Sequence, residues 1–354
     1  MKLDARPRSG SPRHRTPGTR PPPHAGWLVV PSAAVLATLV AVRVSAPAPV
    51  PGLAPVSGPV LYAVPIARVL LDLALTAVLG LSLLRLMFGG RPEPELGRVF
   101  RAGYRATVVA STIWVSAALA SVVLQTAELA PGVTSAALGA YIAGFPGAQA
   151  LLASAAAGVL TTLLAVAGAR SNGALPCRLL VVTVGAGLVP LLATGHSGAL
   201  SERWHDLTMV SLELHVFAAT AWTGGLSATA ALLLTRPALL ARALPRFSQL
   251  AGLCLAVVAV TGVLNALVEL ASTPGTQLPS VLLTSHYGQL VLAKTACLAL
   301  LGCCGAHIRF RLLPSITLAR RTALAGWLTA ELTLMGVAFG LAVVLSRTGV
   351  LTTG

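Results

Sequence analysis

The chain has little charge, and acidic residues are especially scarce. Asp and Glu together number 10 in 354 residues, and all charged residues make up 10% of the chain against 55% hydrophobic residues. So few polar side chains cannot cover the surface of a water-soluble globule of this length. The composition therefore excludes a large soluble domain and indicates a membrane protein.

Motifs for enzymatic chemistry are also lacking. The sequence has no Gly-x-x-x-x-Gly-Lys loop for nucleotide phosphates and no nucleophile and base paired in one loop. Hydrolysis and phosphoryl transfer are thus disfavoured, and the protein is predicted not to be an enzyme. The five cysteines show no spacing typical of a secreted disulfide framework, so free thiols are expected.

Long apolar stretches dominate what is present, and the mean hydropathy is +0.82. Their lengths suit membrane crossing, which predicts an all-α, polytopic transmembrane bundle of about nine helices. A disordered basic tail is predicted over residues 1–26 and a short outer tail over 346–354. The predicted spans are 27–46, 61–88, 106–129, 148–169, 179–194, 207–234, 250–271, 288–306 and 323–345.

Basic residues follow a topological pattern. The net charge of +15 and the pI of about 11.2 could suggest nucleic acid, yet these residues lie in loops between apolar stretches. The basic tail and the alternate loops hold 19 of the 25 Lys and Arg residues, which predicts a cytoplasmic N-terminus, an outer C-terminus and no nucleic acid partner. The first stretch also resembles a signal peptide with Ala46-Pro47-Ala48 as its cleavage site, but the surrounding prolines favour a retained anchor.

Four histidines fall on the predicted outer side of the membrane. His196, His205 and His286 lie near loops, whereas His215 lies about two turns inside a span. Imidazole suits copper, and a polar ring inside a membrane helix is costly without a partner. We predict a metal site from these four residues, although loop histidines are ordinarily just interfacial polar residues.

Other polar residues within the spans predict a route for a cation or proton. Its candidates are Glu331, Asn265, Lys294 and Glu213. Two simpler interpretations remain open. Glu331 and Asn265 could only bond a neighbouring helix, and Lys294 could extend outward to the interface.

Three residues at the end of the eighth span form a possible inner exit site. Cys303, Cys304 and His307 would suit Cu(I), although cysteine is also a common small apolar residue in helices. Arg68 and Asp72 are four residues apart and predict a structural ion pair. Gly224 and Gly225 predict close helix packing.

Several motifs resemble those of the copper resistance protein D family. They are Thr194-Gly195-His196-Ser197, His205-Asp206-Leu207, HVFAATAWTGGL at 215–226, VLNAL at 263–267 and YGQLVLAK at 287–294. The segment 65–73 and the ending Leu345-Ser346-Arg347-Thr348 resemble actinobacterial members, here without the cytochrome oxidase assembly domain that many relatives carry. Relatives often have Pro where His286 stands, so no family role is transferred to it.

This resemblance implies N-terminal helices over 27–211 and a copper resistance D core over 212–345. It also implies a multi-pass protein of the bacterial plasma membrane that takes up or tolerates copper, often with a small extracytoplasmic copper-binding partner. The ion, Cu⁺ or Cu²⁺, would be substrate. Two alternatives remain: a b-type cytochrome, for which only His215 lies well inside a span, and a copper-delivery factor for oxidase assembly that transports nothing. No haem is expected.

Overall fold

A computed structural model describes residues 25–45, 58–88, 94–130, 133–171, 177–193, 202–272, 280–312 and 321–348. Within them the chain forms eleven α-helices and a short π-helix at Ile308–Leu312. The helices are α1 Ala25–Ser45, α2 Gly58–Phe88, α3 Pro94–Leu129, α4 Ser135–Gly144, α5 Pro146–Arg170, α6 Cys177–Ala193, α7 Glu202–Leu233, α8 Pro237–Ser272, α9 Ser280–Thr284, α10 His286–His307 and α11 Arg321–Leu345.

The nine predicted spans correspond to nine of these helices, namely α1, α2, α3, α5, α6, α7, α8, α10 and α11. Eight of them are long and apolar enough to cross a membrane, and α6 is a shorter apolar helix of 17 residues. The predicted all-α, polytopic bundle is confirmed. The tails at 1–24 and 349–354 lie outside the described residues.

Two short helices occupy stretches that the sequence predicts as outer loops. The first, α4, has 10 residues, and the second, α9, has five. The Thr134 hydroxyl accepts a hydrogen bond from the Ala137 amide, which caps the start of α4, and Pro146 begins α5 directly afterwards. Helices this short cannot cross a bilayer, so a search for spans misses them.

The arginine-bearing helix ends gather at one end of the bundle, called the basic end below. An apolar cluster joins the last turns of α2 and α7 to the first turns of α3 and α8, through residues such as Phe88, Leu233, Leu96 and Leu240. Arg246 at this end donates a hydrogen bond to the Met87 carbonyl. At the far end, Arg347 after α11 pairs with Glu128 of α3.

Helices α2 and α7 cross in backbone contact at two glycines. A Cβ atom built on Gly80 would lie 2.0 Å from the Gly224 carbonyl carbon, and one built on Gly224 would lie 2.1 Å from the Thr76 oxygen. Gly225 instead receives the Phe247 ring, 2.8 Å from its Cβ position. The small residues after His215 therefore join the first half of the bundle, α2 to α6, to the second half, α7 to α11.

The first helix packs into a groove on the last one. Gly336 and Gly340, one turn apart on α11, would place Cβ atoms 2.6 Å from the Val30 oxygen and 2.4 Å from the Ala34 oxygen of α1. The Thr38 hydroxyl at this contact donates to the Ala34 carbonyl at 2.8 Å. Helix α1 is thus packed as closely as the helices of the interior.

Candidate functional site

A buried imidazole lies between α7 and α8. His215 Nδ1 is 3.0 Å from the Thr261 hydroxyl oxygen, and that hydroxyl also donates to the Val257 carbonyl one turn earlier on α8. In the tautomer with the proton on Nδ1, Thr261 accepts from the Nδ1–H of His215, since the hydroxyl directs its one proton to Val257. The Nε2 lone pair, on the opposite edge of the ring, is then left for a ligand.

Local sequence makes room for this ring. Gly262 has no side chain, and a Cβ there would lie 3.3 Å from His215 Cε1. The hydroxyl of Ser211, one turn before His215, reaches the Thr261 carbonyl oxygen at 3.5 Å. The imidazole is therefore held by a hydrogen bond at one edge and by close packing at its side.

The residues of the predicted polar route are placed differently with respect to the His215 ring. Lys294 of α10 is close enough to act electrostatically on the His215 imidazole. Asn265, one turn beyond Thr261, has its Oδ1 buried without a hydrogen-bond partner. Glu213 lies two residues from His215, which directs it to the other side of α7.

Within the part of the chain that the structure describes, the other outer histidines do not form a group around His215. His196 lies outside those residues, and His205 lies in the first turns of α7 with its side chain outside the description. His286 begins α10, and its Nδ1 is buried without a hydrogen-bond partner. Among the described residues, no group of three or more His, Cys, Asp or Glu side chains could hold a metal.

A second polar position lies nearer the basic end. Glu331 of α11 is 4% exposed, and its carboxylate is next to the Trp222 indole of α7. The buried indole N–H interacts with this carboxylate, although not in the geometry of a full hydrogen bond. A Cβ on Gly305 of α10 would lie 3.9 Å from Glu331 Oε1, so three helices meet at this carboxylate.

The predicted exit residues lie in the last turn of α10 but face different surroundings. Cys303 is exposed, whereas Cys304 is half-buried and close enough to Glu331 for electrostatic interaction. His307 stacks on Trp327 of α11, with ring centroids 4.4 Å apart. Stacking alone accounts for the position of His307.

The Arg68 and Asp72 side chains form an ion pair on α2, with Nε 3.0 Å from Oδ1 and 3.2 Å from Oδ2. Both side chains are only partly exposed. The pair lowers the cost of two charges within a span.

Three residues around these sites were missed by sequence reasoning. Thr261, Gly262 and Trp222 lie in apolar runs where threonine, glycine and tryptophan are common. The one available signal was the Thr-Gly pair in the middle of α8, two residue types that serve close helix contact in membranes.

Two family models match the chain. The model described as copper resistance protein D-like, N-terminal domain, matches residues 57–206, and the model described as copper resistance protein D matches residues 241–345. The chain belongs to the copper resistance protein D family. A search of curated proteins and a search of solved structures found no significant match.

Family membership and the eight long apolar helices make this a multi-pass plasma-membrane protein of copper resistance. Most of α7, including His215, lies between the two matched ranges. Thr261, Lys294 and Glu331 lie within the second range, so the candidate site joins the copper resistance D segment to the helix that precedes it.

Proposed function

We propose that this protein moves copper ions inward across the plasma membrane through helices α7, α8, α10 and α11, with His215 as a ligand on the way. The observation that carries the proposal is the hydrogen bond from His215 to Thr261, 3.0 Å long. Histidines that bind metals usually donate their second ring N–H to a fixed acceptor, which orients the ring and raises its basicity.

Inward movement requires an outer entrance and an inner exit. The basic end would face the cytoplasm because positively charged loops are retained there. His196, His205 and His286 would then capture copper on the outer side, and Asn265, Lys294 and Glu331 would border its route, whereas Glu213 faces the other side of α7. Cys303, Cys304 and His307 would receive Cu(I) at the cytoplasmic side.

Accumulation of copper by whole cells tests the proposal. His215→Ala should reduce accumulation to that of cells lacking the protein, with membrane insertion unchanged. Thr112→Ala is the control, since Thr112 is exposed on α3, outside the helices of the proposed route, and should leave accumulation unchanged. Unchanged copper content at normal expression of His215→Ala would remove His215 from the mechanism.

The threonine provides a finer test. Thr261→Val keeps the shape of the side chain but removes the acceptor for Nδ1–H, and should weaken copper binding roughly 10- to 100-fold. Thr261→Ser keeps the hydroxyl and should bind nearly as the parent protein does. Equal copper affinity in the valine and serine variants would show that the hydrogen bond has no part in copper binding.

Purified protein in vesicles separates transport from the alternatives. Copper flux into the vesicles supports a transporter, whereas binding without flux supports a delivery factor that presents copper to an extracytoplasmic partner. A Soret band in the visible spectrum would support a b-type cytochrome. His215 and His307 lie toward opposite ends of the bundle, which is unfavourable for ligating one haem.

A further inference from the structure

Helix α3 carries a row of arginines on one face. Arg98, Arg101 and Arg105 are spaced by three and four residues, and all three are exposed. This spacing places them within about one-sixth of a turn on one side of the helix. We call these three residues the α3 arginine row.

The α3 arginine row continues an apolar face that is also exposed. Val109 is 61% exposed and Val123 is 43% exposed, and both lie on the side of α3 that carries Arg98 and Arg105. Exposed valines on a membrane-spanning helix face lipid chains. The arginines therefore project from the lipid-facing side of α3 rather than from the side packed on its neighbours.

The depth of the row suits lipid headgroups. Between Arg105 and Glu128 lie 22 residues without a charge, which span roughly 33 Å as a helix, close to the thickness of a bilayer's hydrocarbon core. Arg105 then lies at the boundary of that core, and Arg101 and Arg98 follow at the level of the phosphates.

Neighbouring helices add positive charge at the same level. Tyr104 of α3 packs against Gly168 of α5 and Leu180 of α6. Arg170 and Arg178, each two residues from those contacts, are exposed as well. Two residues along a helix turn a side chain by about 200°, so Arg170 and Arg178 point away from these contacts, and the three arginines of the row are the ones that share one face.

Protein partners do not account for the row. The ion pairs found among the described residues involve Arg68 with Asp72 and Arg347 with Glu128, both elsewhere in the bundle. Glu95, the acidic residue nearest to the row on α3, makes no ion pair with it in this part of the chain. Guanidinium groups bind phosphate through paired N–H bonds.

We propose that the α3 arginine row is a binding site for the headgroup of an anionic phospholipid. The lipid's acyl chains would lie along the exposed face of α3 at Val109 and beyond. Its phosphate would bridge the arginines of the row. This site is separate from the copper route.

Lipid titration of the purified full chain in detergent tests the proposal. Phosphatidylglycerol is added, with phosphatidylcholine as reference, and bound lipid is counted by native mass spectrometry. The parent protein should retain phosphatidylglycerol in preference to phosphatidylcholine. The triple variant Arg98→Gln, Arg101→Gln, Arg105→Gln should lose that preference, with a loss of roughly fivefold in affinity per arginine.

A charge-matched control distinguishes a site from diffuse attraction. Arg6→Gln, Arg8→Gln, Arg13→Gln removes the same charge from the N-terminal tail and should leave lipid binding unchanged. If both triple variants lose binding equally, or if neither does, the proposal is overturned. If the α3 triple variant is less thermally stable without lipid, the single variant Arg101→Gln takes its place. Lipid binding by that variant equal to binding by the parent protein would also contradict the proposal.

Discussion

The two halves of the bundle satisfy their buried polar groups differently. In the first half, α2 to α6, side-chain hydrogen bonds between helices pair the polar groups in the interior. They join Trp114 to Ser154 at 2.9 Å, Thr162 to Ser111 at 2.8 Å and Thr161 to Thr183 at 2.8 Å. Polar residues there act as contacts between helices, as is usual in membrane bundles.

In the second half, α7 to α11, buried polar atoms are left without partners. Among the described residues they include Thr229 Oγ1, Asn265 Oδ1 and His286 Nδ1. In the first half, the Arg85 guanidinium lies over the Phe100 and Tyr104 rings.

Under the proposed function, this difference would distinguish a scaffold from the route of the ion. A buried polar atom without a partner costs about 1–3 kcal/mol, so a fold that keeps several of them forgoes stability. An ion or water passing through would supply the missing partners for part of the time. The second half has the features of a route, and the first half those of a support.

The junction between the halves should be the most sensitive point of the fold. Gly224→Ala would place a methyl group 2.1 Å from the Thr76 backbone oxygen. Neither backbone can move away without separating α2 from α7, so we expect a loss of about 3 kcal/mol in the free energy of unfolding. Thermal unfolding of the purified variant measures it.

Two other glycines provide graded controls for this change. Gly225→Ala meets the Phe247 ring, which can shift, and should cost about 1 kcal/mol. Gly97→Ala on α3 meets nothing within 4 Å and should be neutral or slightly stabilising. Equal stability of all three variants would show that the two halves are not joined at Gly224.

A pair of tryptophan substitutions compares the halves directly. Trp114→Phe removes the donor to Ser154, whereas Trp222→Phe removes an indole N–H that interacts with Glu331 without the geometry of a full hydrogen bond. Both side chains are buried and both changes leave a similar cavity. We expect Trp114→Phe to lower the free energy of unfolding by about 1 kcal/mol more than Trp222→Phe does.

Copper accumulation should fall more in Trp222→Phe than in Trp114→Phe, which reverses the order of the two variants in stability. Trp222 lies beside Glu331 on the proposed route, while Trp114 lies in the scaffold. A Trp114→Phe variant that folds but accumulates less copper than Trp222→Phe would contradict the division into scaffold and route.

The helices could be predicted from the sequence because each apolar stretch is long enough to be recognised by itself. Arginine positions also predicted which helix ends lie together, since charge cannot remain in the hydrocarbon core. Helices α4 and α9 were missed because hydropathy carries no signal for helices of 10 and five residues. The sequence predicted that Gly224 would make a close contact with another helix, but it did not predict that Gly80 of α2 would be its partner.

The candidate site was less predictable. His215 stood out because a polar ring in a span is rare, and its burial could be anticipated. Its partner Thr261 could not, since the choice of facing residue depends on how α7 and α8 are rotated against each other. The grouping of Glu331 with Trp222 and Gly305 likewise depends on three helices meeting at one depth.

Amide substitutions give a smaller contrast between the halves. Asn265→Leu removes a buried oxygen that has no hydrogen bond, and should raise the free energy of unfolding by up to about 1 kcal/mol while lowering copper accumulation. Gln125→Leu removes the acceptor of the Tyr141 hydroxyl, 2.6 Å away, and should lower stability by about 1 kcal/mol. Opposite signs of the two changes in thermal unfolding support the contrast, and a loss of stability in Asn265→Leu would contradict it.

The smallest effect is expected where the halves meet again, at the far end of the bundle. Glu128 of α3 pairs with Arg347 after α11, and both side chains are partly exposed, at 22% and 39%. Glu128→Gln should cost less than about 1 kcal/mol because water and salt screen an exposed pair. The cost should shrink further when thermal unfolding is measured at high salt. Glu128→Gln could instead lower the free energy of unfolding more than Gly224→Ala does, and by the same amount at every salt concentration. That result would mean that this ion pair, rather than the glycine crossing, joins the scaffold to the route.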